Sequence, residues 1–530
     1  MSIIIQNISF QHPDGDVLFS DLSFSLELQQ KMALVGDNGS GKSTLLRLIA
    51  GDITLHQGSV SSQEPIYLVP QDFTPYLNHS IAEVLKISDK LHALQEILNG
   101  NVDVIHFETL ADDWELEERV KGEMRRWGLQ DVSLDAPLKE LSGGEKTKVF
   151  LIGLTLSKPG IVLMDEPTNH LDYTSRILLY TWLKQTTASV LVVSHDRELL
   201  NLLSGILELS SLGLKYYSGN YEDYKDQKDV ELDAIHASLK NKETERKQAQ
   251  LKQQKVSERK QKADSRGQKL SARKGIGKMA MDTREDRAEK TSARFQADHQ
   301  GKINGISSDI RDIKNKIADQ SVLKLYLESS NFPENKLLIE AADINYTYGS
   351  GKLIWKEALS FKLWSGERVL LKGCNGSGKT TLIRLITQEI TPREGKLKIT
   401  PNNWLYLDQE YSFLDSSKTV YEQAQAFNFK LPEHEVKCML HRSQLPLEFW
   451  DQPCSSLSGG EKMKLSLCSL LISSVAPDLM ILDEPTNNID MNSIAILTQT
   501  LSHYNGTLLL VSHDRYFVEE LGIDREIDLD

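Results

Sequence analysis

One series of short motifs runs twice, in the same order, along this chain of 530 residues. Gly36-Asp37-Asn38-Gly39-Ser40-Gly41-Lys42-Ser43 is answered by Gly373-Cys374-Asn375-Gly376-Ser377-Gly378-Lys379-Thr380. LSGGEK at 141–146 returns at 457–462, LMDEPTNHLD at 163–172 as ILDEPTNNID at 481–490, and VSHDR at 193–197 at 511–515. Such a doubled set implies two copies of one domain. Spacing between copies locates what was added. Lys42 to Lys379 is 337 residues and Gln71 to Gln409 is 338, but Ser142 to Ser458 is 316 and both Glu166 to Glu484 and His195 to His513 are 318. The first copy therefore holds about 22 extra residues, somewhere in the acidic, helical-looking stretch 80–135. Domains are expected over 1–224 and 337–530, with 225–336 between them.

GxxxxGK[ST] is a phosphate-binding loop: its glycines let backbone N–H groups close around phosphate oxygens at a helix start. Gly36, Asn38, Gly39 and Gly41, with Gly373, Asn375, Gly376 and Gly378, supply the loops. Lys42 and Lys379 reach the β- and γ-phosphates, and Ser43 and Thr380 ligand Mg²⁺, followed by Thr44 and Thr381. An apolar strand is expected before each loop and an amphipathic helix after it. Ile161–Asp165 and Met480–Asp483 are apolar runs ending in an acid, as befits a buried strand that delivers a carboxylate to the metal. Glu166 and Glu484 come next, placed as general bases for an attacking water. His195 and His513 follow Val-rich strands at a fixed distance from those acids and point to the γ-phosphate. Gln71 and Gln409 end short strands where they would touch Mg²⁺ and water. ATP and Mg²⁺ are the cofactors implied.

Composition narrows the setting. No run approaches the roughly 18 apolar residues of a membrane span, and the N-terminus lacks the basic and apolar regions of a signal peptide. Cys374, Cys438, Cys454 and Cys468 have no zinc-like or CxxC spacing, so neither a metal cluster nor a disulfide framework is expected. A reducing, cytoplasmic compartment follows.

Together the motifs resemble the ABC ATPase superfamily: Walker A, Q-loop, LSGGE signature, Walker B with its glutamate, D-loop and H-switch. The resemblance implies an α/β fold of two P-loop domains packed head to tail, a pseudo-dimer within one monomer. Each ATP would lie between the Walker motifs of one domain and the signature of the other. Site one would then join Lys42, Asp165, Glu166 and His195 to Ser458, Gly459 and Gly460. Site two would join Lys379, Asp483, Glu484 and His513 to Ser142, Gly143 and Gly144. Asn488 departs from His170 of the first copy. Phe10, and Tyr346 or Tyr348, are aromatics that would either stack on adenine or pack in the core. Cys374, inside the second P-loop, makes that site the one sensitive to alkylation.

The segment 225–336 decides which kind of ABC protein this is. It carries 26 Lys/Arg against 18 Asp/Glu, and its part 240–278 carries 14 against 4, in a chain whose net charge is −14. A cationic segment in an acidic protein marks a polyanionic partner. Ile303, Ile306, Ile310, Ile313 and Ile317 recur at spacings of three and four, a coiled-coil seam. Leu232, Ile235 and Leu239 match it, with Lys242, Arg246, Gln253 and Lys260 continuing the seam. An antiparallel helical hairpin is predicted, turning within 264–283, its forty-residue arms about 60 Å long. A merely solvated connector accounts for the charge but not for the isoleucines.

Tandem ABC domains, a charged hairpin, NHLD, SHDR and no membrane domain resemble the ABC-F family. That resemblance implies a soluble factor whose hairpin enters the ribosomal E site beside the P-site tRNA, with Lys269, Arg273, Lys274 and Lys278 contacting rRNA or tRNA. The extra residues of the first copy fall where the family has its arm. The alternatives are an ATPase subunit of a transporter with separate membrane proteins, and a DNA-structure or repair ATPase.

Overall fold

The computed structural model describes the chain except residues 1–2, 13–14, 16, 211–212, 275–299, 312, 314–335, 350, 375, 401–402, 410, 474–476, 488 and 530; in the linker helix the side chains of 256, 257, 259–261 and 263–274 are also outside the description. Asn375, Asn488, Ile317 and Lys278 thus lie outside the described residues, as do the hairpin turn and the side chains of Lys260, Lys269, Arg273 and Lys274. Residues Met1–Tyr224 and Leu323–Asp530 make one compact unit, and Lys225–Val322 a second.

In the first unit the repeat becomes two similar α/β domains. The apolar runs Lys31–Val35, Ile161–Asp165 and Ser189–Val193 are buried strands of a parallel sheet, ordered Ile66–Val69, Ile161–Asp165, Ser189–Val193, Lys31–Val35, Gly205–Ser210, with Gly213–Ser218 antiparallel at its edge. The other domain repeats this as Trp404–Leu407, Leu479–Asp483, Thr507–Val511, Arg368–Lys372, Arg525–Asp528. Continuous apolar strands of this kind are buried on both faces, and helices cover them here. Each domain adds a three-stranded antiparallel sheet, centred on Ile3–Gln11 or Leu337–Asn345. Ile3, Ile5 and Ile8 of the first pack against Leu45, Leu46 and Ile49 of the P-loop helix, which fixes that helix on its sheet.

The extra residues of the first copy are now resolved. Ser80 and Thr419 are matching N-caps, each with a capping box, at helices Ile81–Val84 and Val420–Ala426. Between Ile81–Val84 and Leu116–Arg126 the first domain inserts two helices, Ser88–Leu98 and Val104–Leu110. Ala93, Leu94 and Leu110 close into a small core of their own. In the other domain Val420–Ala426 leads to Glu433–Arg442 with no helix between them among the described residues.

Among its described residues the second unit is a pair of helices. Tyr221–Lys274 is continuous over 54 residues, about 80 Å at 1.5 Å per residue, longer than the forty-residue arm expected. Residues 300–311 are helical too. Lys242 pairs with Asp309 at 2.8 Å and Gln253 with Gln300 at 3.3 Å, so the two helices run antiparallel. Leu232, Ile235, Leu239, Lys242, Arg246 and Gln253 are the half-buried stripe, and Ile303, Ile306 and Ile310 are buried. Among the described residues no helix is long and apolar enough to cross a membrane.

Candidate functional site

Each P-loop turns directly into a helix, Lys42–Ala50 or Lys379–Ile386. Gly41 and Gly378, the N-caps, have φ of 95° and 93°. A Cβ at Gly41 would come within 2.7 Å of Leu18, and one at Gly378 within 2.7 Å of Ile354, so both conformation and space demand glycine. Lys42 Nζ donates to the carbonyls of Gly36 (2.8 Å) and Asp37 (2.9 Å), and Lys379 Nζ to those of Gly373 (2.6 Å) and Cys374 (3.2 Å). Each lysine thus spans its own loop, curling it around the space where phosphate oxygens fit. Burial lowers the Lys42 ammonium below its ordinary value, against the opposing pull of Glu166 and Asp490.

At the ends of the Walker B strands, Asp165 and Asp483 are pushed up to about 6, chiefly by burial. Glu166 follows with φ of 46° and Glu484 with 49°, a strained left-handed turn that aims each side chain back into its cavity. Backbone bonds hold the turn, from Glu166 N–H to Val193 carbonyl and from Glu484 N–H to Val511 carbonyl, both 2.8 Å. The backbone N–H of His195 donates to Glu166 Oε2 (3.4 Å) and that of His513 to Glu484 Oε2 (3.3 Å); each imidazole Nε2 stands 3.4 Å from the other carboxylate oxygen. Burial, reinforced by Asp165, raises Glu166 to about 8, and burial lifts Glu484 as well. Both imidazoles are driven the other way by burial, His513 to about 4.

The donor set suits a hard cation. Ser43 hydrogen-bonds Asp165, and buried Asp165 Oδ1, Glu166 Oε1 and Glu484 Oε1 lack a hydrogen-bond partner. Buried carboxylate oxygens left in that state are costly, and Mg²⁺ with its waters is the kind of ligand that satisfies them. Among the described residues no cluster of three His, Cys, Asp or Glu ligands is found.

The signature serines cap their helices. Ser142 heads Gly143–Ser157 with a capping box to Glu145; Ser458 accepts from Glu461 N–H and donates to its carboxylate ahead of Gly459–Ser473. The first N–H groups of such helices have no acceptor within the helix and favour an anion.

These parts meet across the two domains. A cavity of ≈ 440 Å³ is lined by Asn38, Gly39, Gly41, Lys42, Ser43, Thr44, Gln71, Asp165, Glu166 and His195 from one domain and Ser458 and Gly459 from the other. Gly460 sits close by, 3.5 Å from Asn38 as measured from its would-be Cβ. A second cavity of ≈ 600 Å³ gathers Gly376, Gly378, Lys379, Thr380, Thr381, Gln409, Asp483, Glu484 and His513 with His170 and Arg176 of the first domain. Ser142, Gly143 and Gly144 line an adjoining space of ≈ 900 Å³, which shares Gly376 and Gln409 with it. Gly36 and Gly373 stand behind their loops as acceptors for the lysines. Asp490, the N-cap of Met491–Ser502, also receives the Asn38 N–H at 3.3 Å, and Asn492 donates to Asp37 at 2.7 Å.

The two alternatives for the aromatics divide residue by residue. Phe10 packs in the core against Phe19, 6.2 Å between ring centres, and it is His12 and Leu18 that line the first cavity. The pairing of Ile3–Gln11 with its neighbour shifts register on either side of Phe10. Of the two tyrosines, Tyr346 packs on the core and Tyr348 lines the second cavity, its hydroxyl 3.2 Å from Thr381 Oγ1. Arg176, Ile354 and Tyr406 also line that cavity; lying outside the repeated motifs, they carried no sequence signal.

Two copies of a P-loop, a capped signature helix and a Glu–His pair define a tandem ABC ATPase. The family model described as ABC transporter matches residues 19–169 and 357–487. A putative ATP-binding protein, YdiF of Bacillus subtilis, is 30% identical over 543 residues, covering 96% of this chain and 77% of its own. The ribosome protection protein VmlR of the same organism is 29% identical over 527 residues (98% and 85%), and ABC transporter F family member 5 of Arabidopsis thaliana 27% over 549 residues (97% and 73%). Among solved structures, an archaeal ribosome recycling factor in complex with a ribosomal stalk protein superposes with a TM-score of 0.59 at 17% identity, covering 98% of this chain and 87% of that one, a likeness of fold. The chain belongs to the ABC-F branch of the ABC ATPases and is an ATP-hydrolysing enzyme.

Proposed function

We propose that this protein is a cytoplasmic ABC-F factor that binds the ribosome when ATP closes its two domains and leaves on hydrolysis. In this reading the domains are 1–224 and 337–530, the insertion within 80–135 is a short arm, and the hairpin of 225–336 enters the E site beside the P-site tRNA. There it modulates translation or protects the ribosome from an antibiotic. The observation that carries the proposal is the hairpin: two antiparallel helices pinned by Lys242–Asp309 and Gln253–Gln300, with 14 basic and 4 acidic residues over 240–278. A duplex RNA or tRNA backbone suits such a charge density. Similarity to a relative named as a ribosome protection protein points the same way.

Chemically, Lys42 and Lys379 hold the β- and γ-phosphates, and the first N–H groups of the opposite signature helix meet the γ-phosphate. Ser43 and Asp165, or Thr380 and Asp483, with Gln71 or Gln409 beside them, hold Mg²⁺, which neutralises charge building on the phosphoryl oxygens. Glu166 and Glu484 orient the attacking water, and His195 and His513 keep those carboxylates in place through their backbone N–H groups. Lys269, Arg273, Lys274 and Lys278 are assigned to RNA contact.

The test is Glu166→Gln combined with Glu484→Gln. With ATP, the double variant should sediment with ribosomes on a sucrose gradient and should release them as salt is raised. If it stays in the ribosome-free fractions, the proposal is wrong.

A further inference from the structure

Arg176 belongs to the first domain, four residues past Asp172 on helix Tyr173–Gln185, yet it works at the edge of the other domain's site. Its side chain is 9% exposed and its guanidinium is shared three ways. Nε donates to the carbonyl of Leu171, in the NHLD loop of its own domain, at 3.2 Å. Nη1 reaches the carbonyl of His513 in the second domain at 3.4 Å, and Asp196 supplies the countercharge at 3.7 Å. Asp196 is fixed in turn by Tyr180, whose hydroxyl donates to it at 2.5 Å. A planar fork with several donors is what can join two carbonyls and a carboxylate at once; lysine offers one point.

The residue it grips matters. His513 turns its own N–H to Glu484 Oε2 at 3.3 Å, so a single residue takes the arginine on its carbonyl and holds the carboxylate on its amide. The link therefore runs from the Leu171 carbonyl through Arg176 to His513 and on to Glu484. At the first site the equivalent position is Ile494, which is buried and has no donor to offer the His195 carbonyl. Two further cross-domain pairs join the segments after the two SHDR motifs: Arg197 meets Glu520 at 2.9 Å, and Asn201 donates to Tyr516 at 2.7 Å. Their repeat equivalents differ, for Arg515 pairs with Glu519 of its own helix at 2.8 Å.

We infer that Arg176 is a positioning residue acting in trans on the second ATP site, coupling the NHLD loop of the first domain to the His513 segment that holds Glu484. Closure of the domains completes this link at the second site alone. The inference rests on the assignment of Glu166 and Glu484 to their sites, and not on ribosome binding.

Steady-state ATP hydrolysis by full-length single-site enzymes tests it. Glu166→Gln leaves the second site working and Glu484→Gln the first. In the Glu166→Gln background, Arg176→Ile, which copies Ile494, should lower kcat about 10- to 100-fold, the scale of a misplaced reacting group, with KM changed less than about threefold. Arg176→Lys should recover part of the rate. Arg176→Ile with Asp196→Asn, which neutralises the carboxylate in direct contact with the guanidinium, should show the same kcat loss while its melting temperature stays nearer the parent's than that of Arg176→Ile alone. In the Glu484→Gln background the same changes should cost less than about twofold. Equal losses in both backgrounds, or an unchanged kcat at the second site, would overturn the inference. If Glu166→Gln with Glu484→Gln still hydrolyses ATP, the site assignment itself is at fault.

Discussion

At the first nucleotide cavity the P-loop carries Asp37, which accepts a hydrogen bond from Asn492 across the interface; at the second the same places hold Cys374 and Thr174, and Thr174 bonds back to Asp172 of its own domain. Arg176 reverses the balance, tying the domains together beside the second cavity where the first has Ile494. Tyr406 donates to Asp483 at 3.3 Å, whereas the corresponding Leu68 has no donor to offer Asp165. One motif set thus sits in two frames, with different cross-domain contacts holding each closed. Motif identity tells which chemistry is present. The flanking contacts tell how tightly each half is held while it happens.

The largest expected effect separates the two sites outright. Lys42→Ala with an intact second site, and Lys379→Ala with an intact first, should each cut single-turnover hydrolysis at their own site by about 100-fold or more. Comparable damage to both sites from either change would mean that the two cannot be treated as separable. Next comes a chemical probe. Cys374 is exposed and lines the second cavity, so alkylation should slow the Glu166→Gln enzyme about tenfold or more. ATP should protect against it, and the Glu484→Gln enzyme should lose far less. Equal loss in the two enzymes would place the reactive thiol elsewhere.

A smaller effect concerns pH. His513 is lowered to about 4 by burial, with Arg176 and Lys379 adding to the shift. The unfolded imidazole takes up its proton near pH 6.5, a proton that the folded site refuses, so stability falls as pH drops from 6.5 toward 4. His513→Gln removes that dependence. Between pH 7.5 and 5 it should lose about 2 kcal/mol less stability than the parent, read by denaturant titration at each pH. Parallel curves for the two proteins would show that His513 takes up its proton as readily folded as unfolded.

Local chemistry explains why so much of the site was readable in advance. A P-loop needs its glycines and lysine in one short run, and a signature helix needs its serine at the cap, so Gly41, Lys42 and Ser142 are visible without a fold. The hairpin was visible for a similar reason, since Ile303, Ile306 and Ile310 keep a helical period. Phe10 was undecided in advance because an aromatic near the domain start suits adenine stacking and core packing alike, and only the tertiary contacts put its ring against Phe19. Arg176 was invisible for another reason. Its partners, Leu171, Asp196 and His513, come together only through packing, and the repeat itself hides the residue, because its counterpart is an ordinary core isoleucine. The position of the insertion was bounded by arithmetic, but its shape depended on a turn at Asn99–Val102 that no spacing rule announces.

That inserted pair of helices is only partly a separate piece. Ala93, Leu94 and Leu110 seal against one another rather than against the parent domain, while Ile87 and Leu116 on either side belong to the larger core. Leu91 of the inserted pair also packs on that core, so the piece is a small annex with its own seal and a bolt into the main body.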